Sequence, residues 1–407
     1  ARPTPAYGGL AMSLPPRLAL LVALLLALLA PAGCCGATNP SPLATPTINR
    51  GKTATPWPTP TCSTALVQST TLQHGQAHTA YLDITYPVGQ EELVRRFLCF
   101  AEDLYADVNG HFGGALPPTI AVQLTSGCHE SRSQGGAIEL CMHDKPGMAE
   151  AAFVHELAHE AMYQLTAGRI AWAENSRLLG FNEGVASWLD QAHGPALGVA
   201  EPQWPWPWAA YVYSRGLASL GDLEDWQGLA DRVGTGLAYA TARSFAERFI
   251  ALYGWQGVMR TLEAIRDTPQ PSLPSAMQAA GLDCDALLAD WQAALATEAA
   301  ACGADQAPRV EADLLVSSEG LTRDVSVRVR VKNGAPQLYR IAVYYNAGEG
   351  DQEVESASYY HGDAEDLVHV GWFRAGTELC WTAGAPWMLS ESYRLVVISG
   401  WHCRTLE

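Results

Sequence analysis

The run His155-Glu156-Leu157-Ala158-His159 restricts the fold of this chain more than any other part of the sequence. Two histidines four residues apart lie on one face of an α-helix, where both imidazoles can reach the same ion. Apolar residues recur at helical spacing from Ala151 to Leu165, and Pro146 and Gly147 stand just before that range. The sequence therefore predicts a helix from Ala151 to Leu165 that packs into a core.

The same run predicts a zinc site with its own general base. His155 and His159 are the candidate ligands, and Glu156 can address a water on the same ion. Ordinary surface or core histidines on a helix are the alternative. Because a catalytic zinc site takes three protein ligands and leaves one position for water, a third ligand must come from elsewhere in the chain.

Glu183 is the best candidate for the third ligand. It opens a second short helical pattern that ends at His193-Gly194, and Asn182 can cap that helix. Gly184 would let the backbone approach a neighbour closely. The alternative is a carboxylate that only interacts with the dipole at a helix start.

Taken together, the two segments resemble the gluzincin zinc metallopeptidases, and among them the bacterial peptidase MA-like families. Those families pair a His-Glu-x-x-His helix with a later Asn-Glu-Gly-x-Ala helix, which corresponds here to Asn182 through Ala186. The likeness covers roughly Thr64 to Ala300. It includes a helical tail, which corresponds to Tyr239 to Phe245, Phe249 to Gly254, and Leu287 to Leu295.

One position departs from the family pattern. Better-known gluzincins often carry an Asp four residues after the third ligand, whereas this chain has Ser187 there. A metal-binding histidine usually needs a partner that orients its ring. Asp190 is the candidate for that role.

The resemblance implies a hydrolase of peptide bonds that depends on zinc. Glu156 would take a proton from the zinc-bound water and return it to the leaving amine. Relatives supply a further donor to the oxyanion, for which Tyr211, Tyr213 and Tyr239 are open candidates; each is alternatively an ordinary core or cleft aromatic. The family also implies that the strand before the metal helix, here Gly136 to Cys141, is a sheet edge that binds the substrate backbone. An interior hairpin strand is the alternative.

The surrounding sequence predicts a small sheet with helices. Thr119 to Leu124 and Gly136 to Cys141 have the composition of short strands, and Glu91 to Val108 has the pattern of an amphipathic helix. With the resemblance, these segments predict an α+β fold: a thermolysin-like gluzincin catalytic domain over residues 63–305.

Residues 1–35 predict an export signal. Leu18 to Ala30 is an unbroken apolar run that is too short for a comfortable transmembrane helix. Met12 is the expected start of the natural chain. We therefore expect an extracytoplasmic protein, either at the cell surface or secreted.

A lipid anchor is the favoured form of that export. Cys34 is the candidate lipidation site, with Cys35 as its neighbour, although Pro31 departs from the usual pattern before such a cysteine. Residues 36–62 are rich in Thr and Pro and predict a disordered tether. Such a tether fits a membrane-anchored lipoprotein better than a freely secreted enzyme.

Eight cysteines follow the export region, and an even number in an exported protein predicts disulfides. Proximity along the chain favours four pairs, although many other connectivities are open. The favoured pairs are Cys62–Cys99, Cys128–Cys141, Cys284–Cys302 and Cys380–Cys403.

Residues 306–407 change character. Hydrophobic alternation recurs between turn residues with no long helical pattern, which predicts an all-β accessory domain, most simply an immunoglobulin-like sandwich. The alternating segments are Val310 to Val316, Val325 to Val331, Tyr339 to Tyr345 and Tyr393 to Ser399.

The charge of the chain bears on its partners. Its 42 acidic and 25 basic residues give a net charge of −17, and no Lys/Arg cluster suggests nucleic acid. The expected partner is a peptide or protein substrate, and the expected cofactor is Zn²⁺. The second hypothesis is a catalytically inactive, gluzincin-like surface binding or adhesion protein. Glu156 favours the enzyme, because a scaffold has no need for a general base beside two zinc ligands.

Overall fold

The computed structural model of the chain describes residues 68–69, 74–125, 131–133, 135–141, 148–171, 175–193, 206–319, 321–348, 351–388 and 394–407. The chain forms two compact units, with the boundary between Ala307 and Pro308. The segment Trp387–Leu395 is the exception, because it groups with the amino-terminal unit. The predicted export signal, the tether and Cys34 lie outside the described residues. Within the described part, no helix is both long and apolar enough to cross a membrane.

The amino-terminal unit contains a mixed sheet. The strands run in the order β1-β2-β3-β4-β6-β5; β3, β4 and β6 are parallel, and the other pairs are antiparallel. The described strands are β1 (Gln68–Ser69), β2 (His74–His78), β3 (Leu82–Pro87), β4 (Ile120–Thr125), β5 (Arg132–Ser133) and β6 (Ala137–Cys141).

Helices make up the rest of this unit. The longest, α7, is broken at Gly254, whose positive φ of 68° interrupts the helical backbone. The helices are α1 (Glu91–His111), α2 (Met148–Leu165), α3 (Leu179–His193), α4 (Trp206–Ser214), α5 (Leu220–Glu224), α6 (Trp226–Val233), α7 (Thr235–Asp267), α8 (Leu273–Ala279) and α9 (Cys284–Cys302).

Buried apolar residues alternate with exposed residues along the strands and recur at helical spacing along the helices, and together they form the core. Ile84 on β3 and Val122 on β4 are buried between outward-facing neighbours, as the two-residue period of a strand requires. Helix α1 packs against α2, where the fully buried rings of Phe97 and Phe153 meet edge to face with centroids 5.0 Å apart. Each such aromatic contributes roughly 1.5–3 kcal/mol by its burial. This packing holds α2 in place.

The predicted helices and strands around the metal helix are confirmed, including the strand Gly136 to Cys141, which appears as β6, but one prediction about that strand is wrong. The expected helices appear as α1 and α2, and the expected strand from Thr119 appears as β4. However, β6 is not a free sheet edge. Arg132 and Ser133 pair with its outer side, so β6 is the interior hairpin strand that the sequence left as the alternative. The positive φ angles of Gly135 and Gly136 turn the chain back directly into β6.

The predicted bridge between Cys284 and Cys302 is also wrong. These two cysteines stand at opposite ends of α9, so at 1.5 Å per residue they lie roughly 27 Å apart. A disulfide requires Cα atoms within about 7 Å. Both thiols are free, and burial raises the pKa of each to about 11.

The other cysteines agree with a disulfide-bonded protein. The bridge between Cys380 and Cys403 is confirmed, and it joins neighbouring strands. Cys99 and Cys141 are disulfide-bonded as well. Their predicted partners, Cys62 and Cys128, lie outside the described residues.

The carboxy-terminal unit is all-β, as predicted. One sheet has the strand order β11-β8-β7. The other has the order β10-β9-β12-β13, and β14 pairs with β12 outside that order. Val325, Val327, Val329 and Val331 alternate along β8 and are fully buried. The strands are β7 (Arg309–Glu319), β8 (Thr322–Lys332), β9 (Ala342–Asn346), β10 (Asp351–Glu355), β11 (Ala364–Arg374), β12 (Glu378–Met388), β13 (Arg394–Ile398) and β14 (His402–Thr405).

Candidate metal centre

The three predicted ligands converge between α2 and α3. The Nε2 atoms of His155 and His159 are 2.9 Å apart, and Glu183 Oε2 lies 3.2 Å from the first and 3.3 Å from the second. Zinc bonds of about 2.0–2.1 Å at tetrahedral angles place ligand atoms about 3.3 Å apart. The triangle therefore has the dimensions of three corners of a tetrahedral zinc site.

Hydrogen bonds on the far side of each ring orient the two imidazoles. His155 Nδ1 donates to Asp190 Oδ2 at 3.1 Å, and His159 Nδ1 donates to Asn182 Oδ1 at the same distance. In a neutral imidazole with a proton on Nδ1, Nε2 carries a lone pair. Two lone pairs and a carboxylate oxygen thus face one another at contact distance. Positive charge between these atoms stabilises the arrangement, and two imidazole nitrogens with a carboxylate oxygen are a set of donors that fits a divalent cation.

The ionisation of the cluster reflects the same charge pattern. Burial lowers the pKa of His155, but hydrogen bonds with Asp190 and Glu183 outweigh burial and hold that pKa well above its usual value. The pKa of His159 is raised as well: burial lowers it, and the charge of Glu183 more than reverses that effect. Burial raises the pKa of Glu183, yet the two histidines bring it far below its usual range. Glu183 is therefore a permanent anion facing both rings.

Glu156 lies beside the ligands on α2 and is buried, with 5 % of its surface exposed. Its charge acts on His159 and raises the pKa of that ring. A carboxylate held close to a metal-binding pair is positioned to accept a proton from a water in the same site. The side chains of His155, His159 and Glu183 keep 12–15 % exposure, so the cluster is not sealed from solvent.

Of the three candidate tyrosines, Tyr239 contacts the cluster. Its ring on α7 meets the ring of His155 edge to face at 5.9 Å between centroids, and Trp226 supports it from α6 at 5.1 Å. Tyr211 and Tyr213 lie on α4, where Tyr211 is buried. The ring contact makes Tyr239 the strongest of the three for a role at the site.

Close backbone packing fixes the helix that carries Glu183. A Cβ atom on Gly184 would lie 2.3 Å from the carbonyl oxygen of Ala242, so α3 approaches α7 to a distance that only glycine permits. Next to His159, the fully buried Glu160 accepts hydrogen bonds from Gly136 N at 2.7 Å and from Ser133 Oγ at 3.2 Å. The metal helix is thereby attached to the hairpin of β5 and β6.

Sequence reasoning missed the role of Asn182. It was expected to cap a helix that begins at Glu183, but α3 begins at Leu179, after a short 3-10 turn that Asn175 caps. Asn182 therefore lies inside the helix, and its side chain is available to His159. Asp190, the candidate for orienting a metal-binding histidine, contacts His155. It follows Glu183 by seven residues, a spacing that returns to the same helix face, and this signal was readable in the sequence.

No protein-family model matches the chain, and no curated protein matches it in sequence.

Proposed function

We propose that this protein is an exported zinc-dependent peptidase with His155, His159 and Glu183 as metal ligands and Glu156 as general base. The observation that carries the proposal is the triangle of ligand atoms, with sides of 2.9, 3.2 and 3.3 Å, each ring being oriented from behind by a hydrogen bond. A structural zinc site is normally closed by four protein ligands. Three ligands with residual exposure, next to a buried carboxylate, favour catalysis over a structural role.

The proposed reaction is hydrolysis of a peptide bond. Zinc, when bound, supplies a Lewis acid and lowers the pKa of a coordinated water toward neutrality. Glu156 accepts the proton of the attacking water and returns it to the departing amine. Asp190 and Asn182 keep the lone pairs of His155 and His159 directed at the ion. The hydroxyl of Tyr239 is the proposed donor to the oxyanion.

The finer fold assignment belongs to the same proposal. A gluzincin-like domain is supported by the metal helix that follows a mixed sheet, by the third ligand on the next helix, and by the helical tail of α7 and α9. An immunoglobulin-like accessory domain is supported by the two sheets of the carboxy-terminal unit. Export is supported by the disulfides at Cys99, Cys141 and Cys380, since such bonds persist in oxidising compartments.

The variant Glu156→Gln tests the proposal. Gln keeps the shape of the side chain but cannot take a proton, so hydrolysis of a broad peptide library should fall by about 10²–10⁴-fold. Zinc content, measured by elemental analysis, should stay at the wild-type value. Glu150→Gln is a matched control, because Glu150 is a buried carboxylate on the same helix outside the ligand cluster.

Two outcomes would overturn the proposal. Wild-type protein that holds no metal would remove the site itself. Wild-type protein that binds zinc but cleaves nothing in the library would instead favour a gluzincin-like binding protein.

A further inference from the structure

A second group of metal-binding side chains lies at the other end of α3. Asp107 and His111 are one turn apart on the last part of α1, and His193 is the final residue of α3. One ligand atom from each of the three residues lies within 4.8 Å of the other two. Within the described part of the chain, this group and the one at His155 are the two such clusters.

The ring of His193 is held as a metal ligand is usually held. Its Nδ1 donates to the carbonyl oxygen of Leu189 at 2.7 Å, and the ring itself is 2 % exposed. That bond directs Nε2 toward Asp107, whose Oδ2 contacts it closely. Both ring nitrogens therefore face acceptor oxygens, and a neutral imidazole can satisfy only one of them. The second is satisfied either by protonation of the ring or by a cation that takes the place of that proton and binds both Nε2 and the carboxylate.

His111, one turn after Asp107 on α1, completes the group. Its ring lies edge to face with His193, with centroids 6.1 Å apart, and Trp255 packs against it at 5.6 Å. Trp255 Nε1 also donates to the carbonyl oxygen of His111 at 2.6 Å, which fixes the end of α1. Asp107 is 44 % exposed, so an ion can enter from solvent. Two imidazoles and a carboxylate are the donors that zinc and similar borderline divalent ions prefer.

Other pairs of histidine and carboxylate lack these features. His78 contacts Asp83 at 2.8 Å and His369 contacts Asp324 at 2.7 Å, but both histidines are more than half exposed. Neither pair belongs to a three-residue cluster among the described residues. The cluster at His193 differs because it has a third ligand and a buried ring oriented through its other nitrogen.

We propose that Asp107, His111 and His193 form a second site for a divalent cation of the zinc class. The site joins the carboxyl ends of α1 and α3. Since α3 also carries Glu183 and Asp190, the second ion holds the helix that supplies the third ligand and the histidine-orienting carboxylate of the first cluster. Its role is to fix the helix, and the bound ion is remote from the reacting peptide.

The test counts metal ions in the full-length protein. Wild type and variants are equilibrated with excess zinc, separated from free metal, and analysed for zinc per chain. His111→Asn and Asp107→Asn should each lose about one equivalent relative to wild type, from about two to about one. Both variants replace side chains of α1 that are more exposed than His193. The buried His193 itself is kept, because replacing it could unfold the protein. Far-ultraviolet circular dichroism checks that each variant is folded.

Controls separate this site from other zinc. His78→Asn removes a histidine from an exposed pair and should leave the count unchanged. The double variant Cys284→Ser, Cys302→Ser should also leave it unchanged, because thiols with a pKa of about 11 hold little thiolate near neutral pH.

Loss of one equivalent on replacing His111 and Asp107 supports the second site, whatever count the wild type has. Unchanged zinc in both folded variants overturns it. Failure of the proposed peptidase activity leaves this readout intact, because the count does not depend on hydrolysis.

Discussion

Two histidine clusters at opposite ends of one helix differ in how they are built. The cluster of His155, His159 and Glu183 takes two ligands from one helix turn, and its ligand atoms already stand 2.9–3.3 Å apart. The cluster of Asp107, His111 and His193 is looser, with ligand atoms within 4.8 Å and one half-exposed carboxylate. The first is preorganised for chemistry, whereas the second needs its exposed side chains to close around an ion. We therefore expect the two sites to differ in zinc affinity and in the effect that loss of zinc has on hydrolysis.

Graded removal of metal should produce the largest effect. A weak chelator should remove the ion at Asp107 first, because that side chain is 44 % exposed while the ligands of the first cluster are 12–15 % exposed. Peptide hydrolysis should be reduced but should persist through this first loss, because the packing of Gly184 against α7 also holds α3 in place. A strong chelator should then abolish hydrolysis, and added zinc should restore it. Activity and zinc content are measured on the same samples. Activity that falls in proportion to the first ion lost would contradict the assignment of hydrolysis to the cluster at His155.

Asp190→Asn should produce an intermediate effect. Asp190 accepts the hydrogen bond from His155 Nδ1; burial holds the pKa of Asp190 above its usual value, and His155, Arg243 and His193 offset only part of that rise. Asn preserves an acceptor oxygen but removes the charge. Zinc affinity at the first cluster should fall about 10–100-fold, as for other partners of metal-binding histidines.

Competition with a coloured chelator measures that affinity. Asp290→Asn on α9 is the matched control, because Asp290 is ion-paired with Arg248 of α7 at 2.6 Å and its replacement should affect neither cluster. Equal affinity in Asp190→Asn and wild type would mean that the carboxylate is not needed to orient His155.

Gly184→Ala should produce the smallest effect, on stability. Its new Cβ would meet the backbone of Ala242 at 2.3 Å, so α3 must shift away from α7 at a cost of about 1–3 kcal/mol. Gly110→Ala is the contrasting variant on α1, beside the second cluster, where a Cβ meets nothing within 4 Å. It should be neutral or stabilise by up to about 1 kcal/mol through helix propensity. Denaturant unfolding compares the midpoints of the two variants. Equal midpoints would contradict the prediction, because they would mean that α3 accommodates a Cβ atom at Gly184 as easily as α1 does at Gly110.

The contrast between the clusters also explains what the sequence could predict. His155 and His159 sit at a local spacing with a known geometric meaning, and Glu183 lies in a similarly compact pattern. The second cluster joins residues 86 positions apart, Asp107 and His193, which only the packing of α1 on α3 brings together. No local sequence pattern predicts a contact between residues so far apart in the chain. Two of its three residues, Asp107 and His111, have the i, i+4 spacing of one helix face, but a single Asp–His pair at that spacing is not a recognised metal motif.

The errors have local physical causes. The hairpin that covers β6 depends on two glycines with positive φ, and strand composition alone does not indicate which side of a strand is paired. The predicted bridge between Cys284 and Cys302 ignored the helix that Leu287 to Leu295 already indicated between them. Rigid helical rise, rather than separation along the chain, decides which cysteines can meet.

Glu160 has a consequence for protein engineering. It follows His159 directly and is fully buried; its Oε2 accepts hydrogen bonds from the hairpin at Ser133 and Gly136, and its Oε1 accepts one from Gln164 on α2 itself. A graft of α2 alone into another scaffold would keep the bond from Gln164 but leave Oε2 without its two hairpin donors, at a cost of about 1–3 kcal/mol if that oxygen stayed buried. The smallest portable version of this metal helix is therefore the helix together with its hairpin, from Arg132 to Leu165.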